Sequence, residues 1–288
     1  MTGFPWAALA ANLGVTLVAV AVVMGVACLV GLRRDRHDGV DVVWGLGFVV
    51  IALVSAVTAG LLDPAGSTWR RVLVVLLVAV WGGRLAWHVG RRNHGRPEDR
   101  RYVDLRRRAP ATFLAKIYPT QGAVMWIVSL PVQIACYGGV GGWGVAVTVA
   151  GVALWAVGFV FETVGDAQLA RFTADPAHRG EVMDRGLWRY TRHPNYFGDA
   201  CVWWGLGVLA LHHPAGLVGL VGVAAITANL VKGTGAALLE RDIAARRPGY
   251  ADYVRRTSGF LPMPPRTPMP PRTPMPPRTG SSRPTNTP

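Results

Sequence analysis

Cysteine is almost missing from this chain. Cys28, Cys136 and Cys201 lie in or beside apolar runs, and no C-x-x-C or comparable spacing joins them. That pattern excludes a cysteine-based metal site and predicts three buried free thiols. Charge is scarce too: 16% of the 288 residues are charged against 51% hydrophobic, and long windows carry no charge. A composition of this kind excludes a large soluble domain and places the chain among integral membrane proteins. The opening "MTGFPWAALAANLG" lacks a basic n-region, which predicts a retained first span rather than a cleaved signal peptide. Acidic residues are the rarer sign, leaving a net charge of +14. In a soluble chain that excess would suggest nucleic acid. Here the arginines cluster in short loops between apolar runs, where the positive-inside rule places them, so no nucleic-acid partner is expected. An internal repeat and paired interrupted helices are also lacking, which argues against a transporter.

What is present is a series of apolar runs. Those near 8–31, 41–62, 71–89, 120–139 and 144–165 meet the roughly 20 residues that a helix needs to cross a bilayer. Two shorter runs, "ACVWWGLGVLALHHP" and "AGLVGLVGVAAITANLV", meet at His212, His213 and Pro214, a polar turn with a helix breaker, and read as a sixth and seventh span in a hairpin. The expected fold is an all-α integral membrane bundle of about seven transmembrane helices over 1–261, with cytoplasmic loops forming a cofactor site. Seven spans with the N-terminus outside and the C-terminus cytoplasmic, in the cell membrane, put every strongly basic loop on one side. From 262 to 288 the chain reads PMPPRT three times and then "GSSRPTNTP", a proline-rich tail expected to be unstructured.

The densest polar chemistry is "GLWRYTRHPNYFGD", residues 186–199, between two apolar regions. Pro194 suits the first turn of a helix, which sets Asn195 and Asp199 one turn apart on one face, an amide and a carboxylate aimed at one ligand. The same residues also suit an interfacial cap with snorkelling Arg and His and an aromatic belt. Glu162 and Asp166 are four residues apart at the cytoplasmic end of the fifth run, where acidic groups are costly unless paired. Arg189, Arg192 and His193 are the expected neutralising partners. The third-loop segment "NHGRPEDRRY" gathers Asn93, Arg96, Asp99, Arg101 and Tyr102, and "LLERDIAARRPGYADYVRRTSGFLP" reads as an amphipathic helix. From that helix Glu240, Tyr250 and Tyr253 either close over a cytoplasmic pocket or lie on the bilayer. No metal site is expected.

On "RHPNYFGD" followed by "WWG", and on "NHGRP", the chain resembles the membrane family that includes steroid 5-alpha-reductases and isoprenylcysteine carboxyl methyltransferases, and most closely its bacterial reductase-like branch. The likeness is strongest over 162–262. "NHGRP" looks like the asparagine-glycine-arginine-proline segment that serves the nicotinamide cofactor in the reductases. The resemblance implies a seven-helix bundle in which NADPH enters from the cytoplasm and a lipid-like, steroid-like or isoprenoid-like substrate enters from the bilayer, its double bond being reduced. It implies cofactor-facing roles for Asn93, Arg96, Asp166, Arg192, His193, Asn195, Tyr196 and Asp199. S-adenosylmethionine with methyl transfer is the alternative, and a non-enzymatic membrane protein is a second one. The chain departs from the reductases at two points: no acidic residue lies between Asp41 and Asp63, and no tyrosine between Val72 and Val89. Tyr118, Gln121 and His88 are then the candidates for polarising a substrate.

Overall fold

The structure, a computed structural model, describes residues 3–232, 240, 247 and 249–266. Its described residues form helices α1 (Trp6–Arg34), α2 (Val40–Leu62), α3 (Thr68–Asn93), α4 (Arg100–Arg108), α5 (Phe113–Val128), α6 (Leu130–Ala135), α7 (Gly144–Ala174), α8 (Pro194–Ala210), α9 (Gly216–Lys232) and α10 (Tyr250–Arg256). Among the described residues there is no strand, only an isolated parallel bridge between Thr191 and Ser258. Four helices, α1, α2, α3 and α7, are long and apolar enough to cross a membrane. Their outer faces carry exposed apolar side chains such as Leu17, Val18, Val57 and Val149. This is the surface of an integral membrane protein, whose solvent on that face is hydrocarbon.

The fourth expected run is not one helix. It is divided between α5 and α6 at Ser129, because Pro131 has no N–H to donate to the turn before it. The sixth and seventh runs are the 17-residue helices α8 and α9. Cys136 and Cys201 are buried free thiols as expected, whereas Cys28 is a half-buried one.

Small residues set the helix spacing. Along α7, Gly144, Gly151, Gly158 and Gly165 recur every seventh position, and α8 answers with Gly198 and Gly205. A Cβ on Gly158 would stand 2.5 Å from both Gly198 O and Val202 N, and one on Gly151 would stand 2.8 Å from Gly205 O. Backbones in lipid approach this closely only over glycine-like residues. The contact fixes Glu162 and Asp166 of α7 opposite the first turns of α8. Gly45 of α2 and Gly82 of α3 meet in the same way, which brings α3 against α2 at the level of the site.

Several polar groups in the interior are paired, which offsets their cost in this solvent. Asn12, Thr16, Ser55 and Gln133 form a buried hydrogen-bonded set joining α1, α2 and α6. At the start of α3, Arg70 donates to the carbonyls of Ala135 and Leu209 and, at 3.1 Å, to Thr148 Oγ1. Arg71 donates to Cys136 O at 3.0 Å and lies 3.6 Å from the Asp63 carboxylate. Two guanidinium groups therefore occupy the carbonyl ends of α6 and α8, where positive charge is favourable.

At the opposite end, α10 and the chain after it lie across residues 188–192. Tyr253 donates to Trp188 O at 2.6 Å, Arg192 N to Ser258 O at 2.9 Å, and Thr191 Oγ1 to Phe260 O at 2.8 Å. Tyr250 and Tyr253 are buried against protein, so the part of the amphipathic segment from Gly249 packs on the motif, residues 233–239, 241–246 and 248 lying outside the described ones. The first tail residues join it, with Met263 N donating to Tyr190 O at 2.9 Å. The unstructured tail expected for 262–288 otherwise lies, from residue 267, outside the described residues.

Candidate functional site

Pro194 is the first residue of α8, and His193 stands at its N-cap with a non-helical backbone. Proline costs nothing at that position, since its missing N–H would have had no helical partner. The turn spacing then places Asn195 and Asp199 on one face, toward α7. Asn195 Nδ2 donates to Asp166 Oδ1 at 3.1 Å, and the Asn195 amide oxygen accepts from Tyr196 N. Tyr196 stacks on His193, with ring centroids 5.4 Å apart and planes 8° from parallel.

The expected neutralisation of Glu162 and Asp166 by Arg189, Arg192 or His193 is corrected here: the partner is Arg84, on α3. Its Nη1 donates to Glu162 Oε1 at 2.6 Å, and its Nη2 donates to Asp166 Oδ2 at 2.5 Å and to Glu162 O at 3.1 Å. Trp81 Nε1 donates to Glu162 Oε2 at 2.9 Å, and His88 Nε2 lies 3.5 Å from Asp166 Oδ2. One arginine fork thus serves two carboxylates, a geometry lysine does not reproduce. Asp199 completes the group with a difference: its buried Oδ1 has no hydrogen-bond partner. Beneath the cluster Trp203 packs edge to face with Trp81 and Phe48, which are tilted against each other. The signal that would have revealed Arg84 was a lone charge inside the apolar run 71–89, which by default marks a functional or paired group.

Arg192 and His193 turn the other way, toward the C-terminal segment. Arg192 Nε donates to Glu240 Oε1 at 2.8 Å, its Nη2 reaches Glu240 Oε2 at 3.3 Å, and its Nη1 donates to Thr257 O at 2.9 Å. His193 Nε2 lies 2.9 Å from Glu240 Oε1. Burial lowers the His193 pKa against the upward pull of Glu240. Glu240 is held below the ordinary glutamate value, the hydrogen bonds from Arg192 and His193 outweighing the upward push of its partial burial.

The "NHGRP" loop docks on the turn between α1 and α2. Arg36 donates to the carbonyls of Asn93 at 3.1 Å and Arg96 at 2.8 Å and grips Asp38 with two hydrogen bonds. Glu98 accepts from His37 N at 2.6 Å and from Arg106 at 2.7 Å. The Arg96 side chain is exposed, and Asn93 lines a cavity between α1 and α2. Within this loop region Arg92 is exposed beside Asn93, and Arg101 is ion-paired with Asp99 and Asp41. Asp41 ties that edge to α2, accepting from Tyr102 at 2.6 Å and Arg101 at 3.0 Å. Asp166, Asn195, Tyr196 and Asp199 lie together where α7 meets the start of α8, with Asp166 accepting from Asn195. Arg192 and His193 back them from behind, and Asn93 and Arg96 stand to one side.

The cavity between α1 and α2 measures about 580 Å³ and is walled by α1, α2, the end of α3 and Tyr118. Of the three candidate polarising residues, Gln121 is engaged by Trp44 Nε1 at 2.5 Å and His88 belongs to the Asp166 cluster. Tyr118 faces the cavity, 2.9 Å from His37 Nδ1. Among the described residues, no group of three His, Cys, Asp or Glu is placed to hold a metal.

A family model described as a protein of unknown function, DUF1295, matches residues 27–257. No curated protein and no solved structure matches the chain.

Proposed function

The chain belongs to the DUF1295 family, and we propose that it is a membrane-embedded, NADPH-dependent reductase of a double bond in a lipid-like substrate, similar to the steroid 5-alpha-reductases. The observation that carries this reading is the polar set where α7 meets the start of α8. Arg92 and Arg101 are exposed at the end of α3 and the start of α4, while Asn195 donates to Asp166 and the Asp199 Oδ1 lies buried without a partner. A dinucleotide needs cations for its diphosphate and acceptors for its amide and hydroxyl donors. The orphaned Asp199 Oδ1 fits such a donor, because a buried acceptor without a partner is costly until one arrives. When bound, the cofactor would supply hydride. The chain's own residues orient it and exclude water, with the Trp81, Trp203 and Phe48 cluster closing the floor.

One observation favours the methyltransferase alternative. Glu162, Asp166 and Asp199 gather three carboxylates where α7 meets the start of α8, and carboxylates suit a sulfonium better than a diphosphate. Thermal shifts of the purified full chain with NADPH, NADH and S-adenosylmethionine separate the readings, since a ligand specific for the folded state must stabilise it. Arg92 is exposed, and its one side-chain partner among the described residues is the neighbouring Asn93. Arg92→Ala is therefore expected to weaken NADPH binding roughly tenfold with the melting temperature of the apo protein unchanged. Equal NADPH affinity in the variant, or stabilisation by S-adenosylmethionine alone, would overturn the reductase reading.

The proposed topology has seven crossings, with α5 and α6 together, α8 and α9 adding to the four long spans. The N-terminus is outside, and the basic loops and C-terminus are cytoplasmic, in the cell membrane. Reporter fusions at Gly139 and at the C-terminus are expected to give opposite signals, and matching signals would refute this arrangement.

A further inference from the structure

We propose that the cavity between α1 and α2 is a binding site for a single-chain amphiphile with an oxygen-bearing, neutral or anionic head, and that His37 and Tyr118 hold that head. The inference deepens the reductase reading by naming the place and class of its lipid. It rests on that reading only in calling the lipid a substrate.

The walls decide the tail. Val22 and Val26 of α1 and Val42, Leu46 and Val50 of α2 line the cavity. From Val40 to Val50 the wall runs about 15 Å at the helical rise of 1.5 Å per residue. Val22 and Val26 are 60% and 55% exposed, so this wall faces hydrocarbon and the cavity opens sideways. Helix α1 is the least enclosed of the four long spans, which leaves room for a chain to enter beside it.

The closed end decides the head. His37 and Tyr118 are 3% and 4% exposed, and the Tyr118 hydroxyl lies 2.9 Å from His37 Nδ1. Gly31 makes the room for them: a Cβ there would stand 2.5 Å from the Tyr118 hydroxyl and 2.8 Å from His37 Nδ1. Burial pushes the His37 pKa below its ordinary value, which favours the neutral ring with its one N–H. If that proton is on Nδ1, it donates to the Tyr118 oxygen and leaves the phenol O–H free. If it is on Nε2, the phenol donates to Nδ1 and the Nε2–H is free. Either tautomer leaves one donor for a ligand oxygen and one lone pair, on Nε2 or on the phenol oxygen, that can accept from a hydroxyl, since His37 Nε2 has no hydrogen-bond partner among the described residues. Arg34, which lines the cavity three residues before His37, makes no ion pair among the described residues, whereas Arg36 is held by Asp38. The balance at the head end favours an acceptor or an anion over an ammonium.

The test uses the full chain in nanodiscs of uncharged phosphatidylcholine without dinucleotide, so that it succeeds or fails apart from cofactor binding. The probe is a long-chain fatty alcohol carrying a mid-chain diazirine, with labelled peptides mapped by mass spectrometry. Saturable labelling within residues 22–50 is expected, competed by the matched alcohol and fatty acid but not by the alkylamine or alkane. Tyr118→Phe and His37→Phe should each weaken the apparent affinity about three- to tenfold, with melting behaviour used to confirm folding. Val26→Trp, on the lipid-facing wall and outside the hydrogen-bonded end, should abolish labelling by filling the cavity. Non-saturating label spread equally over α1 and α7 would mean annular lipid alone and overturn the proposal. Equal competition by the alkylamine, or full affinity in both His37→Phe and Tyr118→Phe, would overturn the assignment of the head site.

Discussion

Arg84→Met is expected to cost about 3–5 kcal/mol of stability, the usual consequence of removing one partner from a buried ion pair. The arginine is 15% exposed and bridges Glu162 and Asp166, which are 5% and 9% exposed. Without it two carboxylates face each other inside the bundle, with the His88 imidazole 3.5 Å from Asp166. Charge and bulk can be told apart. Glu162→Gln in the Arg84→Met background removes one uncompensated charge while leaving an acceptor for Trp81, and should recover part of the loss. Arg84→Lys keeps a charge but reaches two carboxylates poorly, so it should fall between parent and Met. Melting of the purified variants in one detergent gives the order. A Met variant as stable as the parent would show that Glu162 and Asp166 do not rely on Arg84.

The positions of the long helices were legible in the sequence because hydropathy is local: the runs 8–31, 41–62, 71–89 and 144–165 lie within α1, α2, α3 and α7. Pro194 as the start of a helix, with Asn195 and Asp199 on one face, was legible for the same reason, since the rule concerns neighbours in the chain. What stayed hidden were partners at long range. Arg84 and Glu162 are 78 residues apart, Arg192 and Glu240 are 48 apart, and His37 and Tyr118 are 81 apart. A charge pattern gives no address for such a pair. Arg192 shows the consequence. It was singled out as an anion binder from its motif, and the fold gives its guanidinium a carboxylate and two backbone carbonyls of the C-terminal segment. The fourth run misled because hydropathy continues through Pro131, while the backbone pattern does not.

Gly158→Ala is expected to destabilise by about 3 kcal/mol, the upper end of overpacking costs, although alanine is ordinarily the better helix former by about 0.8–1.0 kcal/mol. The sign is set by what the new methyl meets. At Gly158 it would lie 2.5 Å from two backbone atoms of α8, Gly198 O and Val202 N, and backbone cannot rotate aside as a side chain can. Gly25 of α1 supplies the matched control, since nothing lies within 4 Å of a Cβ there. Gly25→Ala should be neutral or slightly stabilising. The effect also reaches the site. Glu162 and Asp166 follow Gly158 by one and two turns on α7, so separating α7 from α8 pulls Asp166 away from Asn195, now 3.1 Å apart. Ligand affinity at the α7/α8 face should therefore fall with stability in Gly158→Ala and hold in Gly25→Ala. If the two variants melt alike, the close approach of α7 and α8 is not what sets the geometry of the carboxylate cluster.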